Sequence, residues 1–155
     1  EPHRSMLALG RTTFVMQKIE SGFPAFVGNV WERLCQTAVS GNQLFNHTWN
    51  MARRWWGKVP VYEEGRKTPI GFEELEFDVV AEAADDKDTI LVGECKWKSA
   101  DYADRLLMKL KAKTQKAPFA QGKNIIYVLF LKEPPLSEAD CHILFPDEVL
   151  KYQPE

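Results

Sequence analysis

Long hydrophobic runs are missing from this chain. No segment reaches the ~18 consecutive apolar residues of a membrane span, and no signal-peptide pattern opens the sequence. An excess of charge is missing too: 20 Lys and Arg stand against 22 Asp and Glu, a net charge of -2. A global basic field for nucleic acid is thereby excluded, while a local basic patch stays compatible with near neutrality. Cysteine is scarce and scattered. Cys35, Cys95 and Cys141 form no CxxC pair, so they are expected to be reduced thiols in a cytoplasmic protein. His3, His47 and His142 show neither metal-ligand spacing nor a link to a Ser or Cys nucleophile. A Gly-x-x-x-x-Gly-Lys-Ser/Thr loop is absent, which excludes ATP hydrolysis by that route within this chain. The first residue is not Met, and the start is expected to be a cut inside a longer protein.

What is present suits one folded domain. The chain has 155 residues, 45% of them hydrophobic and 12% aromatic. Residues 1–24 read as a lead-in segment, with weak helical spacing around Thr12 to Glu20, and residues 25–155 as the domain. Phe26 to Val39 has the spacing of an amphipathic helix. Its stripe is read as Phe26, Val30, Leu34 and Ala38, with Trp31 and Cys35 beside them and Gly41 and Asn42 as the stop. A strand is expected around Arg53 to Gly57, and a loop over Val59 to Gly71, which holds Pro60, Gly65 and Pro69. A helix is expected from an N-cap region at Ser99 to Asp101 to about Ala117, where Pro118 stops it. Asn124 to Lys132 is the best central-strand candidate. Ser137 to Asp140 suggests a helical turn, His142 to Phe145 an edge strand, and Pro146 to Leu150 a last helical turn.

Glu74 to Trp97 organises the rest. It reads as two strands joined by Ala-Asp-Asp-Lys-Asp. Alternation places Leu75, Phe77, Val79 and Ala81 on one face, and Glu76, Asp78, Val80 and Glu82 on the other. The second strand places Ile90, Val92, Glu94 and Lys96 on one face. Paired as a hairpin, the strands bring Asp78 near Glu94. Two carboxylates and a lysine at the end of a sheet suit a divalent metal and a water nucleophile. The bland alternative is a cross-strand ion-pair network, at ~0.2–1 kcal/mol per pair. Cys95 points to the opposite face, as a small buried residue.

Two basic clusters stand apart from this stretch. Arg53, Arg54 and Lys58 interleave with Trp55 and Trp56, an arrangement that stacks on bases and holds phosphates. Alternatively the Trp residues pack and the Arg residues pair with the acidic strand. Lys109, Lys111, Lys113 and Lys116 crowd the end of the second helix. They either complement its dipole or form a phosphate-contacting edge, with Lys109 and Lys113 as the candidates.

Asp78, then about fifteen residues, then Glu94-Cys95-Lys96 resembles the PD-(D/E)xK nuclease superfamily. Phe77 stands where the motif's Pro would be. The resemblance covers roughly Phe26 to Leu131. It implies a restriction-endonuclease-like α/β fold, an αβββαβ core whose mixed sheet is flanked by helices. Val-Gly-Asn-Val-Trp-Glu-Arg-Leu-Cys, Arg-Trp-Trp-Gly-Lys, Glu-Phe-Asp-Val-Val-Ala and Val-Gly-Glu-Cys-Lys-Trp more narrowly resemble the C-terminal nuclease-like domain of archaeal and bacterial DEXX-box ATPases. This implies a metal-dependent DNA endonuclease domain using Mg²⁺ or Mn²⁺. The partners implied are DNA and the upstream ATPase and winged-helix segments of the same protein. A catalytically silent DNA-binding or regulatory module is the alternative, and a homo-oligomer stays open. By the resemblance, Asp78, Glu94 and the Cys95 carbonyl hold the metal. Lys96 serves the water or the phosphate, Glu32 joins from the first helix, and Glu76 supports Asp78.

Overall fold

The computed structural model describes residues 24–98 and 101–155. The expected lead-in segment lies outside them, apart from Pro24. Helix α1 runs Pro24–Val39. Gly41, at φ 72°, turns the chain after it, and the Asn42 side chain donates to the Ala38 carbonyl at 2.8 Å. A small hairpin follows, β1 (Gln43–Leu44) and β2 (His47–Thr48). Its turn holds Phe45 and Asn46 at positive φ, and Phe45 is not a turn-forming residue that sequence would flag.

The main sheet is built from β3 (Arg53–Val61), β4 (Gly71–Glu82), β5 (Thr89–Lys96), β6 (Asn124–Leu131) and β7 (His142–Leu144), in that spatial order. The β3/β4 and β4/β5 pairs are antiparallel, and β5/β6 and β6/β7 are parallel. Helix α2 (Ala103–Lys116) makes the crossover from β5 to β6 that parallel pairing requires. A short 3₁₀ turn (Pro118–Ala120) follows it, and α3 (Pro146–Lys151) comes after β7. The class is therefore α/β, a mixed five-stranded sheet flanked by helices, with the expected αβββαβ order. Among the described residues, no helix is long and apolar enough to cross a membrane.

Each face of the sheet has its own core. On one, Val27, Trp31, Cys35 and Val39 of α1 cover Val79, Ala81, Leu91, Val128 and Phe130. On the other, Ala103, Leu106 and Leu110 of α2 cover Leu75, Phe77, Ile90, Val92 and Leu129. Trp31 also donates its indole N–H to the Phe130 carbonyl, at 3.3 Å.

Several expectations need correction. The buried stripe of α1 is turned by about one residue, to Val27, Trp31, Cys35 and Val39; Ala38 is buried as expected, and Phe26 is 55% exposed. Trp31 and Cys35 are the side chains the sheet accepts, which leaves Glu32 and Gln36 on the helix edge beside them. Strand β3 runs on through Pro60 to Val61, so the loop is shorter than expected. Pro60 is tolerated because β3 is an edge strand. Helix α2 starts from Tyr102, and Ser99 lies outside the described residues. Ser137 caps its first turn from a distant segment, accepting from the Asp104 N–H at 3.3 Å and donating to the Asp104 carboxylate. Ser137 to Asp140 is accordingly not helical. Ser137 instead bridges to Tyr102.

The largest correction concerns β4. Its alternation does not run unbroken, because Leu75 and Phe77 face α2 whereas Val79 and Ala81 face α1. The register with β3 shifts between Arg53↔Val80 and Trp55↔Phe77. Asp78 and Val79 therefore share the space opposite Arg54, which is a β-bulge. A strict period of two cannot anticipate an extra residue.

Candidate functional site

The β4/β5 ladder ends at Val79↔Gly93. Beyond that rung β4 continues against β3 alone, and β5 continues against β6 to Lys96↔Leu131. The two strands fork, and Asp78 and Glu94 are the next residues on either arm. The Asp78 carboxylate crosses the gap and accepts the Cys95 N–H at 2.8 Å. A side chain thus replaces the lost ladder bond. Gly93 is required at the last rung: a Cβ there would lie 2.7 Å from the Phe130 ring and 3.2 Å from the Val79 Cβ.

Glu94 follows the Ile90 and Val92 pattern onto the α2 face. Its carboxylate meets Lys113 Nζ at 3.0 Å and Lys96 Nζ at 3.5 Å. On the α1 side, Gln36 donates to the Asp78 carbonyl at 2.9 Å and to Glu32 Oε1 at 3.3 Å. Arg54 lies between two carboxylates, 2.9 Å from Glu76 and 4.0 Å from Glu32. Glu32, Asp78, Glu94 and Lys96 are therefore brought to one place from α1, β4 and β5.

The electrostatics show carboxylates held together against their preference. Burial raises the Asp78 pKa, and the Glu94 charge raises it further. The Cys95 N–H, Lys113 and Lys96 oppose the shift. Glu32 is raised by burial and then by Asp78, against the pull of Arg54. The Cys95 thiol faces away, toward Cys35, and burial pushes it well above its ordinary range. A thiol held in that direction is disfavoured as a thiolate.

A strand residue points its N–H and C=O in the same direction, so the Cys95 carbonyl opens on the fork with the N–H that Asp78 accepts. Asp78, Glu94 and that carbonyl are hard oxygen donors of the kind Mg²⁺ and Mn²⁺ take. Among the described residues, no three His, Cys, Asp or Glu side chains form a ready-made metal cage. Two carboxylates nonetheless suffice for a cation that keeps several waters, and their mutual repulsion is what a cation relieves. The residues fit such a group.

The remaining candidates are spread more widely. Arg53 contacts Met51 Sδ at 3.5 Å, and Lys58 is exposed opposite Glu74 on the β3–β4 arm. Trp55 packs edge-on to Phe77 and Phe119, whereas Trp56 is 55% exposed on the outer face of that arm. Lys109 lies exposed one helical turn before Lys113. Lys113 itself turns inward to Glu94. Sequence reasoning missed Gln36, although its position four residues after Glu32 on one helix edge was a usable signal. The inward turn of Lys113 follows from its spacing, since Leu106, Leu110 and Lys113 mark one stripe of the helix, but its Glu94 partner carries no such signal.

Searches of curated proteins and of solved structures each give no significant match. A family model does match, over residues 1–116, which includes α1, the β3–β5 sheet with its fork, and α2. The chain belongs to the DUF234 family, archaeal and bacterial proteins of unknown function.

Proposed function

We propose that the chain is a metal-dependent DNA endonuclease-like domain, acting on phosphodiester bonds as the C-terminal part of a P-loop ATPase. The observation that carries the reading is the fork, where Asp78 and Glu94 are the first residues on its two arms and Lys96 lies two residues on. Asp78, Glu94 and the Cys95 carbonyl would hold Mg²⁺ or Mn²⁺. The cation supplies Lewis acidity and an acidified water. Lys96 would orient that water or neutralise charge on the phosphate. Glu32, through Gln36, fixes the Asp78 backbone. Arg53, Arg54 and Lys58 on the β3–β4 arm, with Lys109 on α2, are the proposed DNA contacts. The tether to an ATPase rests on the sequence resemblance alone.

Plasmid nicking with Mg²⁺ or Mn²⁺ tests the reading. Asp78→Asn and Lys96→Ala are each expected to lower cleavage at least a hundredfold while the fold is retained. Equal cleavage by wild type and Lys96→Ala would sink it. A second reading, a catalytically silent DNA-binding or regulatory module of the ATPase, is favoured by one observation. Glu94 already carries two ammonium groups, as a structural ion pair would. Salt-dependent DNA binding that persists in Asp78→Asn, without cleavage in the wild type, marks that case.

A further inference from the structure

Lys113 is the one lysine of α2 whose ammonium enters the fork. It touches three groups: Glu94 Oε2 at 3.0 Å, the Glu76 carbonyl at 2.7 Å, and the Phe77 ring, whose centroid is 4.8 Å away. Its neighbour Lys116 goes instead to Glu73, at 2.8 Å. Lys96 also meets Glu94, but from farther off and more exposed: 3.5 Å and 36%, against 3.0 Å and 26% for Lys113. Two of the three Lys113 partners, the carbonyl and the ring, are neutral. Of the three, only Glu94 is a charged ligand for which a dication and the ammonium compete.

We infer that Lys113 is an internal counter-ion that competes with a divalent cation for Glu94. This rests on the metal-site reading proposed above. One carboxylate cannot satisfy a dication and a close ammonium equally, because the two cations repel across a few ångströms. When a cation takes Glu94, the Glu76 carbonyl and the Phe77 ring still hold the ammonium at the mouth of the fork. There it faces an incoming phosphate. Lys113 is thus a positioning residue. It keeps the fork closed over Glu94 without metal, and it lowers metal affinity in exchange for a cation ready beside the substrate.

The test is Mn²⁺ binding by isothermal titration calorimetry, which needs no turnover. Lys113→Met is expected to bind Mn²⁺ about tenfold more tightly than wild type. Lys113→Gln, which removes the charge and keeps an N–H donor, is expected to do the same. Lys116→Met is expected to leave affinity unchanged. Damage to the fold weakens binding, so a gain reports a removed competitor and not a structural role. If wild type binds Mn²⁺ and Asp78→Asn does not, yet both Lys113 variants bind equally or more weakly, the inference is overturned and the metal site stands. If neither wild type nor the Lys113 variants bind Mn²⁺, the inference and the metal-site reading fall together.

Discussion

Asp78 accepts the Cys95 N–H, yet it lies partly buried beside Glu94, and both conditions disfavour its charge. Its folded-state pKa is raised above the unfolded value of about 4. Folding therefore favours the protonated form. That contribution is fully present below the unfolded pKa and is lost as the pH rises through the raised folded value. At neutral pH the ionised carboxylate works against the fold, and Glu32 does so in the same direction. Asp78→Asn keeps an oxygen for the Cys95 N–H and removes the charge. In the absence of metal it is expected to stabilise the protein at neutral pH by on the order of 1 kcal/mol or less, allowing for solvent screening. The gain should fade towards about pH 4, where Asp78 is itself protonated. Thermal melts across that range check it. A destabilised variant at neutral pH, or a gain independent of pH, contradicts the argument. Buried carboxylates of this kind suit a site whose stability is restored by a bound cation.

At the scale of elements, α2 must be fixed at both ends for Lys113 to reach Glu94. Its C-terminal half is tied to the sheet through Lys113 and Lys116. Its first turn has no side-chain cap from its own N-cap residue and relies on Ser137. Ser137→Ala is therefore expected to cost about 1 kcal/mol, the usual effect of losing a cap. Chemical denaturation measures the loss, and faster hydrogen exchange at the Asp104 amide locates it. An unchanged amide would mean that Ser137 does not cap the helix. Such a cap could not be read from the chain, because Ser137 lies 33 residues from Asp104. The elements themselves were legible, since α1, β4, β5, α2 and β6 each carry a local period or an apolar run. The approach of Asp78 to Glu94 was legible as well, because register follows from hairpin pairing. The bulge at Asp78 and the β1–β2 turn were not. One depends on packing against two helices, and the other uses Phe45 where turn residues are normally found.

Across the whole molecule, cations and carboxylates balance almost evenly, and the balance is local. Around the fork, Arg54 is held by Glu32 and Glu76, and Lys113 and Lys96 are held by Glu94. These cations are attracted inward while the carboxylates are bare. A phosphate backbone would then meet a surface close to neutral, and its affinity would rest on few contacts. On the proposed reading, a divalent cation at Asp78 and Glu94 would neutralise the acceptors and leave Lys96 and Lys113 for phosphate. On the proposed reading, metal and DNA must therefore bind with positive coupling, and linkage makes the coupling reciprocal. Ca²⁺ takes the same oxygen ligands and serves as the probe. In fluorescence anisotropy, Ca²⁺ is expected to tighten DNA binding by wild type about tenfold, within the usual range of coupling energies. The plot of log affinity against log salt should also steepen, because more phosphates are contacted. Asp78→Asn should show neither change. Tightening of the same size in Asp78→Asn would place the effect of Ca²⁺ on the DNA and away from the fork.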